Sequence, residues 1–163
     1  PALRLLRGLG VPVAVVSNQP SAAKGTCTLE ALAEVHRAVL DRLAAAGVAL
    51  DDVRYCFHHP AGTHPELGRA CDCRKPEPGL VLSAAAALGL DSAALRRSWL
   101  IGDSDVDVEA GQRAGCRTVL IENPRSAHRR HGVGAEVRAA DILDAARIVA
   151  AASRARVPSK EAG

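Results

Sequence analysis

Residues 55–79, YCFHHPAGTHPELGRACDCRKPEPG, form the stretch around which the chain is organised. Two residue pairs, Cys56-x-His58 and Cys71-x-Cys73, flank a segment rich in proline, glycine and histidine. This segment has no apolar periodicity, so a bound metal would have to offset the entropy lost when it becomes ordered. Three thiolates and one imidazole make a closed tetrahedral ligand set for structural zinc. The stretch therefore predicts a zinc-binding loop.

The fourth ligand of this loop has alternatives in His59 and His64. His58 is favoured because the one-residue gap of its pair matches that of the cysteine pair, which lets both ligands of each pair reach one metal. A disulfide is disfavoured, because Cys71 and Cys73 are too close to bridge easily and nothing in the sequence resembles a secretory signal. Ordinary cysteines in an ordinary loop are the simpler interpretation, but three of the five cysteines share this window with three histidines.

The composition predicts one α/β domain over residues 1–152 and a disordered tail over 153–163. The apolar fraction is 48% in 163 residues, which is enough for a core, while aromatic residues make up only 2%. We therefore expect a core of alanine, valine and leucine, with three large anchors: Trp99, Tyr55 and Phe57.

The charge and the cysteine usage restrict the partners. A net charge of +3, not massed on one helix face, does not favour nucleic acid and suits a small anionic substrate. No apolar run approaches the length needed to cross a bilayer, so no membrane partner is expected. Cysteines used for metal indicate a reducing compartment, and the predicted location is the cytoplasm.

Apolar runs and helical periodicity alternate along the chain. Residues 11–16 are a continuous apolar, β-branched run, typical of a strand buried in a parallel sheet. Further strands are predicted at 53–57, 99–101 and 117–121, and helices at 2–9, 28–47, 79–88, 106–114 and 141–152. This order predicts a doubly wound α/β fold with a mainly parallel sheet.

Polar residues follow two of the predicted strands. Residues 17–20, SNQP, follow the first strand, and 102–107, GDSDVD, follow the third. Because ligands bind at the carboxyl ends of strands in such sheets, these residues should meet Lys75 at one edge. Carboxylates such as Asp103 suit Mg²⁺, while Lys75 and Ser17 suit phosphate oxygens. A plain turn and a solvated helix N-terminus are the simpler interpretations of the two motifs.

The order SNQ, CxH, CDC, RKP and GDSDVD resembles the haloacid-dehalogenase superfamily of Mg²⁺-dependent phosphatases over about residues 1–150. The resemblance implies a phosphate-binding hydroxyl on Ser17, a phosphoryl-stabilising Lys75 and a magnesium ligand in Asp103. The substrate contacts that it implies are Ser17, Asn18, Gln19, Pro20, Arg74 and Lys75. The zinc ligands that it implies are Cys56, His58, Cys71 and Cys73.

One motif of this superfamily is missing. Its members attack phosphate with the first aspartate of a DxDGT motif that ends the first strand, and this sequence contains no such motif. Asp103 and Asp105 have the DxD spacing, but no Gly-Thr follows them. We therefore expect the first strand and the nucleophile to be absent from this chain, which would then be inactive alone.

The long zinc loop is similar to that of the heptose bisphosphate phosphatases within the superfamily. This resemblance implies a small phosphorylated sugar as substrate, with removal of the 7-phosphate of a heptose 1,7-bisphosphate, by an enzyme that is monomeric when complete. Ser104 departs from the lysine that those relatives often carry. The alternatives are a histidinol-phosphate phosphatase, whose zinc loop is shorter, and a non-catalytic zinc-stabilised phosphosugar-binding module, which the missing nucleophile supports.

Overall fold

Parallel strands joined by helices make up the chain in the computed structural model, which describes residues 1–155. The elements are α1 (Ala2–Arg7), β1 (Ala14–Asn18), α2 (Leu29–Ala45), β2 (Asp52–Cys56), α3 (Gly79–Ala87), α4 (Ser92–Leu95), β3 (Trp99–Gly102), α5 (Asp105–Ala114), β4 (Arg117–Ile121), a 3₁₀ helix (Pro124–Arg129), β5 (Val137–Ala139) and α6 (Ile142–Arg154). Each strand pairing is parallel: β1 with β2, β3 with β4, and β4 with β5. The predicted α/β class with a parallel sheet is confirmed.

Helices cover both faces of the β3–β4 ladder. α5 packs on the face that carries Leu100 and Thr118, since both touch Gly111 closely. α6 packs on the opposite face, where Val119 joins Val149 in the core. Successive side chains of a strand point to opposite faces, so this is the doubly wound arrangement that the sequence predicts.

The sheet is divided into two ladders. Within residues 1–155, β1 pairs only with β2, and β3 pairs only with β4. A cavity of about 480 Å³ lies between them and is lined by Ala14–Val16 of β1 and Trp99–Ile101 of β3, together with Lys75. All residues of β1 and β3 are partly exposed, whereas Thr118–Leu120 in β4 are buried. The expectation that the first strand is fully buried is therefore wrong, because one of its edges faces this cavity.

The core consists of small aliphatic side chains, as the composition predicts. A buried cluster joins α1, α6, β4 and β5 through Ala2, Leu6, Val119, Ala139, Ala145, Ala146 and Val149. Trp99 packs against this cluster. Tyr55 instead stacks on His36 of α2, with ring centroids 3.6 Å apart. His36 therefore packs between α2 and β2 through its ring.

Several boundaries differ from the predicted ones. β1 begins at Ala14 rather than at residue 11, because Val13 N is already bonded to the Asp51 carboxylate. The short elements α4 and β5 were not predicted, since neither has an apolar run of its own. α6 continues to Arg154, and residues 156–163 of the predicted tail lie outside the described residues. None of the helices in the described part of the chain has the length and apolar character of a membrane span.

Candidate active site

The carboxyl end of β1 is joined to the segment that follows the zinc loop. Asn18 donates from Nδ2 to the Lys75 carbonyl, and its Oδ1 accepts from the Lys75 N–H, both at 3.0 Å. One amide side chain thus satisfies both backbone groups of Lys75, which lies 57 residues away in sequence. This pairing fixes Lys75 beside the strand.

The Lys75 ammonium group is buried between two acceptors. Nζ lies 2.7 Å from the Val16 carbonyl oxygen and 2.7 Å from Asp107 Oδ1. The side chains of Lys75 and Asp107 are only 10% and 12% exposed. A charged donor is therefore held between β1 and the first turn of α5, where it also lines the cavity.

Asp107 is itself fixed by the turn that enters α5. Its Oδ2 accepts from Ser104 N at 3.1 Å, as the third residue of a capping box does, and also from Ser104 Oγ at 2.5 Å. Gly102 makes room for this arrangement, because a Cβ at that position would lie 2.2 Å from Asp107 Cβ. The end of β3 and the start of α5 can approach so closely only with glycine at 102.

Asp103 lies outside that network and is accessible. Its Oδ2 accepts from Arg129 Nη2 at 2.8 Å, and its side chain is 30% exposed. Asp103 also lines a groove of about 470 Å³ together with Gly102, Asn123 and Asp141. Asp103 is thus the carboxylate of the GDSDVD motif that offers oxygen to a hard cation, and its chemistry fits Mg²⁺.

Asp105 has a different environment. It is 6% exposed, and its Oδ2 accepts from the backbone N–H of His131 at 2.5 Å. Its Oδ1 has no partner within the described residues. The Asp105 carboxylate therefore holds the backbone of the segment between the 3₁₀ helix and β5 at His131. The sequence did not predict this contact.

Ser17 and Gln19 complete the end of β1. Gln19 Nε2 donates to Ser17 Oγ at 3.0 Å, and Gln19 N donates to the Cys56 carbonyl at 2.7 Å. Because the Ser17 hydroxyl accepts from Gln19, its own proton remains available for a phosphate oxygen. Pro20 then begins a turn in which its carbonyl accepts from Lys24 N.

The four predicted zinc ligands lie together. Their ligand atoms are all within 4.8 Å of one another. The sulfur atoms of Cys56, Cys71 and Cys73 are 3.1–3.6 Å apart, and His58 Nδ1 is 3.5 Å from Cys73 Sγ. A tetrahedral zinc site has sulfur atoms about 3.8 Å apart, so a small expansion would accommodate the ion.

The alternative histidines have other roles. His59 Nδ1 accepts from Ala61 N at 3.1 Å, and His64 Nδ1 accepts from Glu66 N at 3.2 Å. Both rings therefore satisfy backbone donors within turns of the loop. The preference for His58 agrees with this geometry.

The thiols of the cluster have shifted pKa values. Burial raises the pKa of Cys56, and burial followed by hydrogen bonds with the other two thiols raises that of Cys73. Burial also acts to raise the pKa of Cys71, but hydrogen bonds from Cys73 and Cys56 outweigh it and the pKa is lowered. Three thiols so close together share protons, which a bound cation would displace.

Two arginines contact the His58 side of the cluster. Arg69 Nη2 lies 3.0 Å from His58 Nε2, and Arg74 Nη1 donates to the His58 carbonyl at 3.2 Å. Since arginine can only donate, His58 Nε2 is the acceptor in this contact. A metal bound to Nδ1 would leave the ring proton on Nε2, so Arg69 would turn away when the site is loaded.

Comparison with known proteins places this geometry in a family. The HAD-hydrolase-like family model matches residues 72–146. A protein from Mesorhizobium loti described as a HAD-like phosphatase superposes with a TM-score of 0.77 and 31% identity, over 95% of this chain and 71% of that one. The chain belongs to the haloacid-dehalogenase (HAD) superfamily.

Other relatives within the HAD superfamily carry a more specific name. The D-glycero-beta-D-manno-heptose-1,7-bisphosphate 7-phosphatase of Rhodopseudomonas palustris is 40% identical over 114 residues, which are 70% of this chain and 62% of the relative. The enzyme of the same name from Escherichia coli K12 is 40% identical over 121 residues, covering 74% and 61%. The chain thus spans about three fifths of the length of these curated relatives.

A second solved structure bears the same kind of name. The D,D-heptose 1,7-bisphosphate phosphatase of B. bronchiseptica, complexed with magnesium and phosphate, superposes with a TM-score of 0.74 and 25% identity. The match covers 91% of this chain and 79% of that one. A HAD protein of this architecture therefore holds magnesium and phosphate.

The structure brings most of the predicted site residues to one sheet edge and leaves others apart. Asn18 is hydrogen-bonded to Lys75, and Gln19 is hydrogen-bonded to Ser17 at the end of the same strand, whereas Asp103 pairs with Arg129. The sequence placed the GDSDVD motif, and with it Asp107, at the same edge as Lys75, but it did not predict that Asp107 pairs with the Lys75 ammonium group.

Proposed function

We propose that this chain forms the substrate- and phosphate-binding part of a Mg²⁺-dependent phosphoric monoester hydrolase. Its substrate is a small phosphorylated sugar, and the bond broken is that of the 7-phosphate of a heptose 1,7-bisphosphate. The observation that carries the proposal is the buried Lys75 ammonium at the strand edge that also bears Ser17. The names of the relatives that are 40% identical support the substrate.

Each residue at this edge has a defined role in the proposal. Lys75 donates to the phosphoryl oxygens, on which negative charge builds during transfer. Ser17 donates its hydroxyl proton to another phosphate oxygen, while Asn18 holds Lys75 in place. Asp103 provides the carboxylate for magnesium. When bound, magnesium would neutralise charge on the transferred group.

The nucleophile must be a carboxylate from outside these residues. Asp107 is committed to Lys75, Asp105 is buried against His131 N, and Asp103 would hold the metal. The cavity between β1 and β3 offers a place for it, because both strands present an unpaired edge there. A strand ending in DxDGT would fill this cavity and deliver its aspartate next to Lys75. Residues 1–152 are then a single domain that lacks this strand.

The zinc loop has a structural role in this proposal. Zinc bound by Cys56, His58, Cys71 and Cys73 would fix the loop through which Arg74 and Lys75 reach the site. Thiolate ligands are preserved in a reducing environment, which supports a cytoplasmic location. A strand in the cavity would cover the edges of β1 and β3 that could otherwise pair with another copy, which supports a monomeric complete protein.

The test compares residues 1–163 with the same chain preceded by a DxDGT strand. Both are assayed with heptose 1,7-bisphosphate, histidinol phosphate and an aryl phosphate, in Mg²⁺ and in a chelator. We expect Mg²⁺-dependent turnover only with the added strand, fastest on the heptose substrate, and none when the first aspartate of that strand is replaced by asparagine.

Three results would change the proposal. Robust Mg²⁺-dependent turnover by residues 1–163 alone would place the nucleophile within this chain. A preference for histidinol phosphate would replace the substrate. Phosphosugar binding without turnover in both proteins would establish the non-catalytic alternative, which the lack of a DxDGT motif in this sequence favours.

A further inference from the structure

We propose that Arg129 holds the place of magnesium on Asp103 in the metal-free chain, and that its side chain passes from Asp103 to the substrate phosphate when the metal binds. This inference rests on the proposed function and deepens it, because it assigns the coupling between metal binding and phosphate binding to one side chain. Arg129 lies in the 3₁₀ helix after β4 and has no other role in the site described above.

Arg129 engages only one oxygen of the Asp103 carboxylate. Its Nη2 atom lies 2.8 Å from Oδ2, while Oδ1 accepts no hydrogen bond from residues 1–155. A guanidinium has five N–H donors, and within the same residues this is the one hydrogen bond that the Arg129 side chain makes. The two groups therefore meet through a single contact, which leaves donors of the arginine for a second anion.

This ion pair is exposed enough to exchange. The side chains of Arg129 and Asp103 are 51% and 30% exposed. Exposed ion pairs change an equilibrium constant by only about 1.4-fold to fivefold, because solvent competes for both charges. A carboxylate attracts a cation with two charges more strongly than it attracts one guanidinium, and the two cations repel each other. The contact of Arg129 with Asp103 is thus a weak one that gives way to the metal.

The backbone that carries Arg129 is fixed on both sides. On one side, Arg130 Nη1 donates to the Asn123 carbonyl at 2.8 Å. On the other side, the buried Asp105 carboxylate accepts from His131 N at 2.5 Å. Only the side chain of Arg129 has to move when it leaves the carboxylate, so its guanidinium stays within one side-chain length of the site. This is the function that we assign to Asp105.

The 3₁₀ helix that carries Arg129 also forms part of the groove at Asp103. Its N-cap Asn123 and its first residue Pro124 line this groove of about 470 Å³ together with Asp103. In the proposed function, the metal and the phosphate share this edge of the sheet. A guanidinium released here is therefore close to the anion, to which it can donate two parallel N–H bonds.

The experiment measures metal and phosphate binding rather than turnover. Residues 1–163, with zinc in the cysteine cluster, are titrated with Mn²⁺ as a paramagnetic substitute for Mg²⁺, and calorimetrically with inorganic phosphate in the presence and absence of Mg²⁺. We expect Arg129→Gln to tighten Mn²⁺ binding about threefold, because the competing ion pair is gone. The same variant should weaken phosphate binding about fivefold in Mg²⁺ and less than about twofold without it. A residue with a merely structural role would weaken both.

Two variants are matched controls. Arg129→Lys keeps the charge and one donor for a single contact, so it should bind both ligands nearly as the wild type does. Arg125→Gln removes one positive charge from an exposed position of the same 3₁₀ helix, whose side chain has no partner among residues 1–155. It should change neither affinity. Equal effects of Arg125→Gln and Arg129→Gln would show an effect of net charge alone and would overturn the inference.

Two further variants separate this inference from the proposed function. Asp103→Asn should abolish Mn²⁺ binding, and Lys75→Gln should abolish phosphate binding. If both do so while Arg129→Gln fails to tighten the metal or fails to weaken the phosphate, the inference is wrong and the proposed function stands. If the wild-type chain fails to bind either ligand, or if Asp103→Asn or Lys75→Gln leaves binding unchanged, both proposals are overturned.

Discussion

Lys75 and Asp107 form an ion pair of 2.7 Å in which both side chains are close to nine-tenths buried. The same ammonium group donates to the Val16 carbonyl. Lys75 therefore connects β1, in one ladder of the sheet, to α5, which packs on the other. A residue proposed to stabilise phosphate thus also holds the two halves of the fold together at the site.

Replacing Lys75 should affect stability and chemistry separately. Lys75→Ala leaves Asp107 charged and unpaired in a buried position, so the free energy of unfolding should fall by about 3 kcal/mol. In the chain with the added strand, kcat should fall roughly 10²-fold or more. Denaturant unfolding and steady-state kinetics measure the two effects.

The double variant Lys75→Met, Asp107→Asn is the control for this prediction. It removes both charges together, while the amide oxygen at 107 can still accept from Ser104, so it should recover most of the lost stability. It should not recover kcat, because no cation remains for the phosphate. A double variant with normal turnover would show that the phosphate site lies elsewhere.

Metal removal should destabilise the chain. Purified protein should contain about one zinc per chain, and Cys71→Ser or Cys73→Ser should abolish this content and lower the melting temperature. Cys116→Ser, outside the cluster, is the control and should retain the metal. Elemental analysis together with thermal unfolding decides the matter, and full zinc content in both cluster variants would disprove the assignment.

Gly102 should tolerate no side chain. Gly102→Ala places a Cβ 2.2 Å from Asp107 Cβ. The clash should cost about 1–3 kcal/mol of unfolding free energy and displace Asp107 from Lys75. Gly134→Ala is the matched control, because a Cβ there would meet nothing within 4 Å. Equal stability of the two variants would contradict the close approach.

Asp51 should contribute stability that depends on pH. Hydrogen bonds from Val13 N, at 2.7 Å, and from the Arg7 side chain lower the pKa of its carboxyl. The folded state therefore favours the ionised form, and its stabilisation is present above the usual carboxyl pKa of about 4. This stabilisation is lost as the pH falls through the lowered value.

The measurement compares melting temperatures of the wild type and Asp51→Asn between pH 3 and pH 7. The difference should be largest near neutrality and should shrink at the acid end. Asp41→Asn, on an exposed position of α2, provides the control. A difference that grows on acidification would have the wrong sign for this carboxylate.

Local sequence patterns were sufficient to predict those strands and helices that have a clear apolar pattern of their own. The strand at 117–121 was predicted with its observed limits, and the helix predicted from residue 28 begins after its N-cap Thr28. β5 was missed because its three residues become a strand only by pairing with β4. Such tertiary stabilisation leaves no periodic pattern to detect.

In the active site, too, local patterns predicted some contacts, and others depend on how distant parts of the chain meet. The spacing of the cysteine and histidine pairs was enough to predict which four side chains meet, because ligands of one metal must converge. The contacts of Lys75 with Asn18 and Asp107 depend on how two loops and a helix N-terminus meet in space. No short-range rule connects residues that are 57 positions apart in sequence.

The cavity between the ladders also has a built-in spectroscopic reporter. Trp99 is the single tryptophan of the chain, it lines this cavity, and its ring lies 3.7 Å from the Arg117 guanidinium carbon. A segment that enters the cavity would displace water from around the indole and shift its emission to shorter wavelength. Occupancy of the space between β1 and β3 can therefore be followed by the intrinsic fluorescence of one residue, without any label.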